Sequence, residues 1–252
     1  YWYVDDYVDL TQKQKEVFDA YLNDWLDWHR REELPQYVAQ LEEIKAEIVK
    51  DQMRIGRLLS HRDDVQAHWQ TLRARVVPDI VSMAPMMESE QIASLFEALE
   101  ERNLEDLNDL EERSQKPKEP GDRWVKRSVD RLENWIGQLT DDQQQVFEGL
   151  SERYRPNREH WIDYRRVYQK QLKALFETPD RGDVFEAELT ALLLNPEQFR
   201  SDTLKANIEA NTAIWLESLS KINALLTDKQ RDRLVLEIND QIKDLQNVQE
   251  NG

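Results

Sequence analysis

The chain has 252 residues, no cysteine and a formal net charge of −17, from 34 Lys+Arg and 51 Asp+Glu. Without cysteine there are no disulfides, thiolate metal sites or cysteine nucleophile, and a surface this acidic repels nucleic acid and anionic lipid headgroups. Six glycines, with abundant Glu, Gln, Leu, Arg and Ala, favour helix over sheet. No apolar run approaches the 18 residues of a membrane-spanning helix. The first residue is Tyr1 rather than methionine, and we expect any export signal to lie upstream of it.

A recurring five-residue pattern, Leu-Thr-x-x-Gln, is typical of a helix start. The pattern stands at residues 10–14, 139–143 and 226–230, and looser versions stand at 59–63, 87–91 and 194–198. The threonine at the N-cap lends its side-chain oxygen to a backbone N–H of the first turn. A Gln or an acid three residues later reaches back to the N–H of the cap itself. We therefore predict that a helix begins at each of these six places.

In the first half of the chain, apolar residues recur at helical spacing. The predicted helices cover residues 11–34, 37–59, 60–76 and 92–112, after the end of an aromatic helix at 1–9. Pro35 limits or kinks the first of these, because proline lacks an N–H and clashes with the preceding turn. Ser60 is interpreted as a cap, which would place His61 in an exposed first turn. Pro78 and Pro85 bracket a short apolar segment.

The segment from Lys116 to Gly121 is the clearest linker, because two prolines and a glycine in six residues do not continue a helix. It divides the chain into lobes at 1–115 and 122–252, which either stay separate or pack as one domain. Later predicted helices cover 124–137, 140–150, 160–175, 184–194, 204–222 and 227–248. Val146-Phe147 follows Thr140 at the same distance as Val17-Phe18 follows Thr11. This similarity is compatible with an internal duplication but does not establish one. The fold class we predict is an all-α bundle of about nine to eleven helices, mostly antiparallel neighbours.

The densest cluster of chemically versatile side chains lies just before Pro35. On a regular helix one face would carry Trp25, Trp28, His29, Glu32 and Glu33, with Arg30 and Arg31 turned away. A histidine followed by carboxylates three and four residues later can hold a divalent metal or act as an acid–base pair. The segment supplies at most three ligands and no partner motif is evident. We therefore favour local ion pairs around a histidine at the edge of the core.

Two further clusters are weaker candidates. His61, Asp64 and His68 have a spacing compatible with metal binding. His160, Trp161 and Tyr164 lie among arginines that can receive an anionic group such as a lipid phosphate, although a solvated ion-pair network is the commoner arrangement. The chain has no Gly-rich phosphate loop, nucleophile elbow or HExxH motif. We therefore expect no enzyme and no cofactor.

Two strings carry a resemblance to a known family. These are Asp6-Tyr7-Val8-Asp9-Leu10-Thr11-x-x-Gln14 and Trp28-His29-Arg30-Arg31-Glu32-Glu33-Leu34-Pro35-x-Tyr37. They resemble a family of Gram-negative envelope lipoproteins that is catalogued as a domain of unknown function. The resemblance implies a lipobox cysteine upstream of Tyr1, an acyl anchor in the outer membrane and a periplasmic location, but no activity. The chain is also similar, more weakly, to periplasmic stress chaperones with repeated Leu-Thr-x-x-Gln, which are smaller helical cradles with a basic working surface.

The sequence leaves three functions open. The leading hypothesis is a non-enzymatic, lipid-anchored periplasmic protein that binds a protein partner or client through helical surfaces. The second is a lipid or small-molecule carrier, with a cavity lined by aromatic residues such as Trp25, Trp28, Trp161 and Tyr164. The third is a metal-dependent hydrolase that uses His29 with Glu32 or Glu33. We expect no nucleic-acid partner, and membrane contact only through the upstream anchor.

Overall fold

The structure is a computed structural model that describes residues 8–115 and 120–251. These residues form α-helices and no strand, which confirms the all-α prediction. The helices are α1 Gln12–Trp28, α2 Leu34–Val49, α3 Ile55–Met83, α4 Ser89–Ser114, α5 Pro120–Ile136, α6 Asp141–Glu148, α7 Arg158–Phe176, α8 Asp183–Leu194, α9 Asp202–Ala224 and α10 Asp228–Asn251. The described residues thus contain ten α-helices. The number is nine when α1 and α2 are counted as one helix, because the π-helical turn His29–Glu33 joins them. Both numbers agree with the prediction.

The chain forms two compact units. Unit 1 contains residues 1–25, 69–117 and 157–206, and unit 2 contains residues 26–68, 118–156 and 207–252. Each unit is built from three separate stretches, whereas the sequence analysis expected contiguous lobes at 1–115 and 122–252. Residues 116–119 of the predicted linker, and residues 1–7 of the predicted aromatic helix, lie outside the described residues. No described helix has a stretch long and apolar enough to cross a membrane.

The three exact Leu-Thr-x-x-Gln patterns begin helices, as predicted. Thr140 is the N-cap of α6, and its side-chain oxygen and Gln143 form a complete capping box. The Thr11 N–H donates to Gln14 Oε1 at 2.8 Å before α1, and the Thr227 N–H donates to Gln230 Oε1 at 3.1 Å before α10. Each glutamine therefore satisfies a backbone donor that the helix leaves without a partner.

The glutamine of each box also reaches a second helix start in the same unit. In unit 2, Gln143 Nε2 donates to Gln230 Oε1 at 2.8 Å, and Gln230 Nε2 donates back to Gln143 Oε1 at 2.9 Å. In unit 1, Gln14 and Gln91 exchange the same two bonds at 2.9 and 2.8 Å. All four glutamines are buried. Both units are thus organised around a pair of helix N-termini locked together by two side-chain amides.

The buried apolar side chains form separate clusters in the two units. In unit 1 the cluster contains Val77, Val81, Ala84, Ile92, Phe96, Leu175, Phe176, Phe185 and Leu189. In unit 2 the larger cluster contains Trp124, Leu132, Ile136, Leu139, Phe147, Leu150, Ile214 and Ile222, and a smaller one contains Ile48, Met53, Ile238 and Ile242. Burial of these side chains is the main stabilising contribution within each unit.

The predicted helix over 37–59 is wrong, because the chain turns after Val49. The Gln52 N–H donates to Glu47 O at 2.8 Å and the Asp51 N–H donates to Ile48 O at 3.2 Å. This is the bond pattern of a Schellman motif. Asp51 takes the left-handed conformation, with φ of 53°. The position normally belongs to glycine, so composition gave no signal for the break.

The start of a helix at Ser60 is also wrong, since α3 begins five residues earlier at Ile55 and continues through Ser60 to Met83. Pro78 lies inside α3 and does not bracket a separate segment. The looser pattern at 194–198 leads only into a 3-10 turn, Pro196–Phe199, and α9 begins later at Asp202. The Leu204 N–H then donates to Ser201 Oγ at 3.2 Å, which makes Ser201 the residue that caps α9.

Candidate functional site

The segment with the candidate histidine and carboxylates adopts a π-helical turn. The Leu34 N–H donates to His29 O, five residues back, instead of to the residue four back. Pro35 follows immediately, and proline supplies no N–H and crowds the carbonyl four residues before it. The extra residue per turn is accommodated there, and π-turns of this kind are frequent at functional sites. Pro35 therefore neither ends nor simply kinks the helix; it changes the register of the side chains before it.

The π-turn separates the two candidate glutamates. Glu33 is buried, with 6% of its surface exposed, whereas Glu32 is exposed and accepts a bond from Trp28 Nε1 at 3.1 Å. The prediction that both carboxylates share a face with His29 assumed regular α-helical spacing and is wrong for that reason. Glu33 instead faces His68 of α3, whose Nδ1 lies 3.7 Å from Glu33 Oε2.

His29, Glu33, Tyr37 and His68 together form what we term the motif cluster. The Tyr37 ring lies edge-on to His29 at 5.6 Å and to His68 at 4.8 Å. Burial, and then the negative charge of Glu33, raise the pKa of the Tyr37 hydroxyl. Glu33 Oε2 is buried without a hydrogen-bond partner among the described residues. The cluster thus holds a buried carboxylate oxygen whose capacity to accept a hydrogen bond is not used by the described residues.

The remaining predicted residues of this segment make local contacts. Arg30 pairs with Asp27 at 2.7 Å, and the exposed Arg31 lies 3.9 Å from the same carboxylate. Trp25 belongs to unit 1, where it donates to Asp79 Oδ2 at 2.7 Å and stacks on Tyr21. In the described chain, no three His, Asp or Glu side chains converge on a point that could hold a metal ion.

His61 is not in an exposed first turn, as predicted, but buried in the second turn of α3. Its Nε2 lies 3.1 Å from Glu47 Oε2, and Arg57 Nε donates to the other oxygen of Glu47 at 2.5 Å. Asp64, four ångströms from His61 Nδ1, remains at the surface. His61 and His68 therefore face different carboxylates, and the predicted His61, Asp64 and His68 set does not assemble.

On α7 the predicted aromatic residues lie beneath an arginine. The Arg200 guanidinium lies 5.3 Å from the Trp161 ring and 5.8 Å from the Tyr164 ring. His160 is half-buried on the same helix. The neighbouring basic residues are engaged by α4: Arg158 pairs with Asp106 and Asp109, Arg165 with Asp106, and Arg166 with Glu100. This is the ion-pair network that the sequence analysis favoured over an anion site.

Unit 1 has a groove between the first half of α4 and the end of α7, which we call the α4–α7 groove. Its volume is about 870 Å³. The residues that line it are Ser89, Ile92, Ala93, Phe96, Glu97, Glu100, Glu101, Leu104, Lys173, Phe176, Glu177, Thr178, Pro179 and Arg181. None of these was predicted as a site residue. In the sequence, the pattern that could have indicated this groove is the pair Glu97 and Glu101, which are one helical turn apart and lie beside Phe96.

The comparisons with known proteins give a family without a known activity. The profile of a family of unknown function, DUF6279, matches residues 6–205, which include the motif cluster, α4 and α7. No curated protein and no solved structure matches the chain. Because the match extends over most of the chain, the protein belongs to this family of unknown function.

Proposed function

We propose that the protein binds a polypeptide partner or client without catalysing a reaction, and that the α4–α7 groove is the docking site. The observation that carries this proposal is the combination of an apolar floor and a charged rim in one groove. Apolar side chains of a partner would gain burial on this floor. The resemblance to envelope lipoproteins supports a periplasmic location with an acyl anchor as part of the same proposal.

The floor is formed by aromatic and aliphatic side chains from both helices. Ile92 and Phe96 project from α4, and Phe176 projects from α7 with its ring edge-on to Phe96 at 6.3 Å. Leu104 extends the apolar surface along α4 and is 48% exposed. Pro179 continues it beyond the end of α7. A groove of this size and lining accommodates several apolar side chains of a partner segment.

Filling the groove tests the proposal. Ala93 is exposed on the groove wall, and Ala93→Trp places a large side chain there without breaking a helix. Ala187, exposed on α8 of the same unit, gives the matched control Ala187→Trp. The measurement is suppression of aggregation, and direct binding, of a chemically denatured test protein.

We expect the wild-type protein to bind the denatured protein, Ala93→Trp to weaken binding about tenfold, and Ala187→Trp to leave it unchanged. Equal effects of the two tryptophans would remove the groove from the proposal. An absence of binding by the wild-type protein would contradict partner binding itself.

A further inference from the structure

The rim of the α4–α7 groove carries more negative charge than the protein neutralises. Four carboxylates line it, those of Glu97, Glu100, Glu101 and Glu177. Glu100 is paired with Arg166, and this hydrogen bond lowers the pKa of the Glu100 carboxyl. The other three make no ion pair with any residue that the structure describes.

The two cations that line the groove leave this imbalance in place. Arg181 points back to the protein, where it donates to Met87 O at 2.6 Å and lies 5.8 Å from the Phe176 ring. Lys173 is exposed on α7. Three unpaired carboxylates therefore stand against two cations, the exposed Lys173 ammonium group and the Arg181 guanidinium, so the groove keeps an excess of one negative charge.

The arrangement of the carboxylates follows from the two helices. Glu97 and Glu101 are four residues apart on α4, so they form one row along the groove. Glu177 follows the last residue of α7 as its C-cap, where the carbonyl end of the helix adds partial negative charge. The negative charge of the groove is thus concentrated along α4, while Glu177 at the end of α7 lies on the same side of the groove as Lys173 and Arg181.

We propose that the segment that docks in the α4–α7 groove is a cationic amphipathic helix of a partner polypeptide, an inference that rests on the proposed function. Its apolar row would cover Leu104, Pro179 and the small exposed parts of Phe96 and Phe176. Its lysines or arginines would face Glu97, Glu101 and Glu177. A helix offers both rows because residues three and four apart share a face. A second copy of this chain is a poor occupant, because both copies carry a net charge of −17.

Two synthetic helical peptides test the partner chemistry. They share the same apolar positions and differ only in having lysine or glutamate on the polar face. Their affinities are measured by fluorescence anisotropy at low and high salt, with the full chain. We expect the lysine peptide to bind at least tenfold more tightly, with an advantage that shrinks in high salt.

The double variant Glu97→Gln with Glu101→Gln removes two rim charges and keeps the side-chain shape. We expect it to weaken binding of the lysine peptide about fivefold. Asp240→Asn with Asp244→Asn makes the same change in charge, at the same spacing, on the exposed face of α10, and it should have no effect. Thermal unfolding of both variants verifies that each is folded.

The outcomes separate this inference from the proposed function. If both peptides bind equally and Ala93→Trp weakens both, the groove binds polypeptides but has no preference for cations. If the two double variants weaken the lysine peptide equally, the attraction is a property of the whole acidic surface and the inference is wrong. If neither peptide nor a denatured protein binds, the proposed function itself is contradicted.

Discussion

Gln143 and Gln230 exchange two side-chain hydrogen bonds, at 2.8 and 2.9 Å, at the point where α6 and α10 begin. Each amide oxygen also accepts the N–H of its own cap, Thr140 or Thr227. Each amide nitrogen also donates to the carbonyl before the other motif: Gln143 to Leu225 O at 3.0 Å and Gln230 to Gln138 O at 3.0 Å. Only an amide donates and accepts in this way, so the pairing requires glutamine where an ordinary capping box tolerates glutamate.

Gln143→Glu should therefore destabilise the protein, although glutamate is acceptable in a capping box. A carboxylate there gains up to about 1 kcal/mol from the N-terminal end of the helix dipole. It loses both donated bonds: Leu225 O loses its side-chain donor, at about 1–3 kcal/mol for a buried group, and Gln230 Oε1, which keeps the Thr227 N–H, then lies beside a carboxylate oxygen. We expect the free energy of unfolding to fall by about 3 kcal/mol in urea denaturation at neutral pH.

The control is Gln145→Glu, which makes the same substitution at an exposed position of α6 and should change stability by less than about 0.5 kcal/mol. The loss in Gln143→Glu should also depend on pH. Burial beside another oxygen raises the pKa of the introduced carboxyl, so it is protonated, and donates, in acid. A group whose pKa is raised in the folded state stabilises the folded protein fully at a pH below its unfolded pKa. It loses that contribution as the pH rises through its folded pKa. Equal losses at pH 4 and pH 7 would contradict the proposed role of the donor.

At the glutamine pairs, the sequence predicts the local capping boxes but not the contacts between them. The boxes at Thr11, Thr140 and Thr227 were predictable because a cap and its glutamine are three residues apart and obey local geometry. The bonds between Gln14 and Gln91, or between Gln143 and Gln230, join residues that are 77 and 87 positions apart. No local pattern specifies which two helix starts meet, so that pairing required the structure.

The candidate site shows the same limit. The motif from His29 to Tyr37 was identifiable as unusual, but its geometry depends on the π-turn caused by Pro35 and on His68, which comes from another helix. The buried position of Glu33 and the exposed position of Glu32 follow from one extra residue in that turn. The α4–α7 groove depends on which helix packs beside α4, and amphipathic spacing alone does not choose that neighbour.

In unit 1, the bonds between Gln14 and Gln91 should appear as an energetic coupling. Gln14→Ala and Gln91→Ala each remove a pair of bonds that the other residue shares, and should each destabilise the protein by about 2 kcal/mol. Because both lose the same contacts, the double variant should be less destabilised than the sum, by about 1 kcal/mol or more. Equilibrium denaturation of the four proteins gives this coupling.

A matched cycle uses Gln14→Ala with Gln145→Ala, whose residues lie in different units. There the effects should add within about 0.5 kcal/mol. If the coupling between Gln14 and Gln91 is no larger than this, the two helix starts are held by apolar packing and the amide bonds contribute little.

The backbone conformation of the turn after α2 predicts which substitutions at Asp51 destabilise the protein most. Its φ of 53° is tolerated by Asp and Asn but is costly for a β-branched residue. Asp51→Val should therefore destabilise the protein by about 1–2 kcal/mol, whereas Asp51→Asn should be close to neutral. Asp51 makes ion pairs with Arg54 at 3.4 Å and Arg231 at 3.7 Å, and its own carboxylate is exposed in both, so their loss contributes little. Thermal denaturation of both variants measures the order, and equal destabilisation would show that the ion pairs matter more than the backbone.

The ion pairs between α4 and α7 predict how unit 1 responds to acid. The hydrogen bond from Arg165, followed by the charges of Arg165 and Arg158, lowers the pKa of the Asp106 carboxyl. A carboxyl with a lowered pKa stabilises the folded protein above its unfolded pKa, about 3.9, and loses that contribution as the pH falls through its folded pKa. Asp106→Asn should therefore reduce stability at pH 7, by about 1 kcal/mol for a partly exposed network.

The difference between this variant and wild type should begin to shrink as the pH falls below about 4 and should vanish only below the lowered folded pKa of Asp106, where the wild-type carboxyl is neutral in both states. Urea denaturation at several pH values gives the difference. Asp163→Asn, at an exposed position of α7, is the control and should show little difference at any pH. The contribution of Asp106 should also shrink in high salt, because its arginine partners remain about one-third exposed. A difference between wild type and Asp106→Asn that persists unchanged at low pH would mean that the asparagine disturbs packing between α4 and α7, rather than removing a charge that holds the two helices beside the groove.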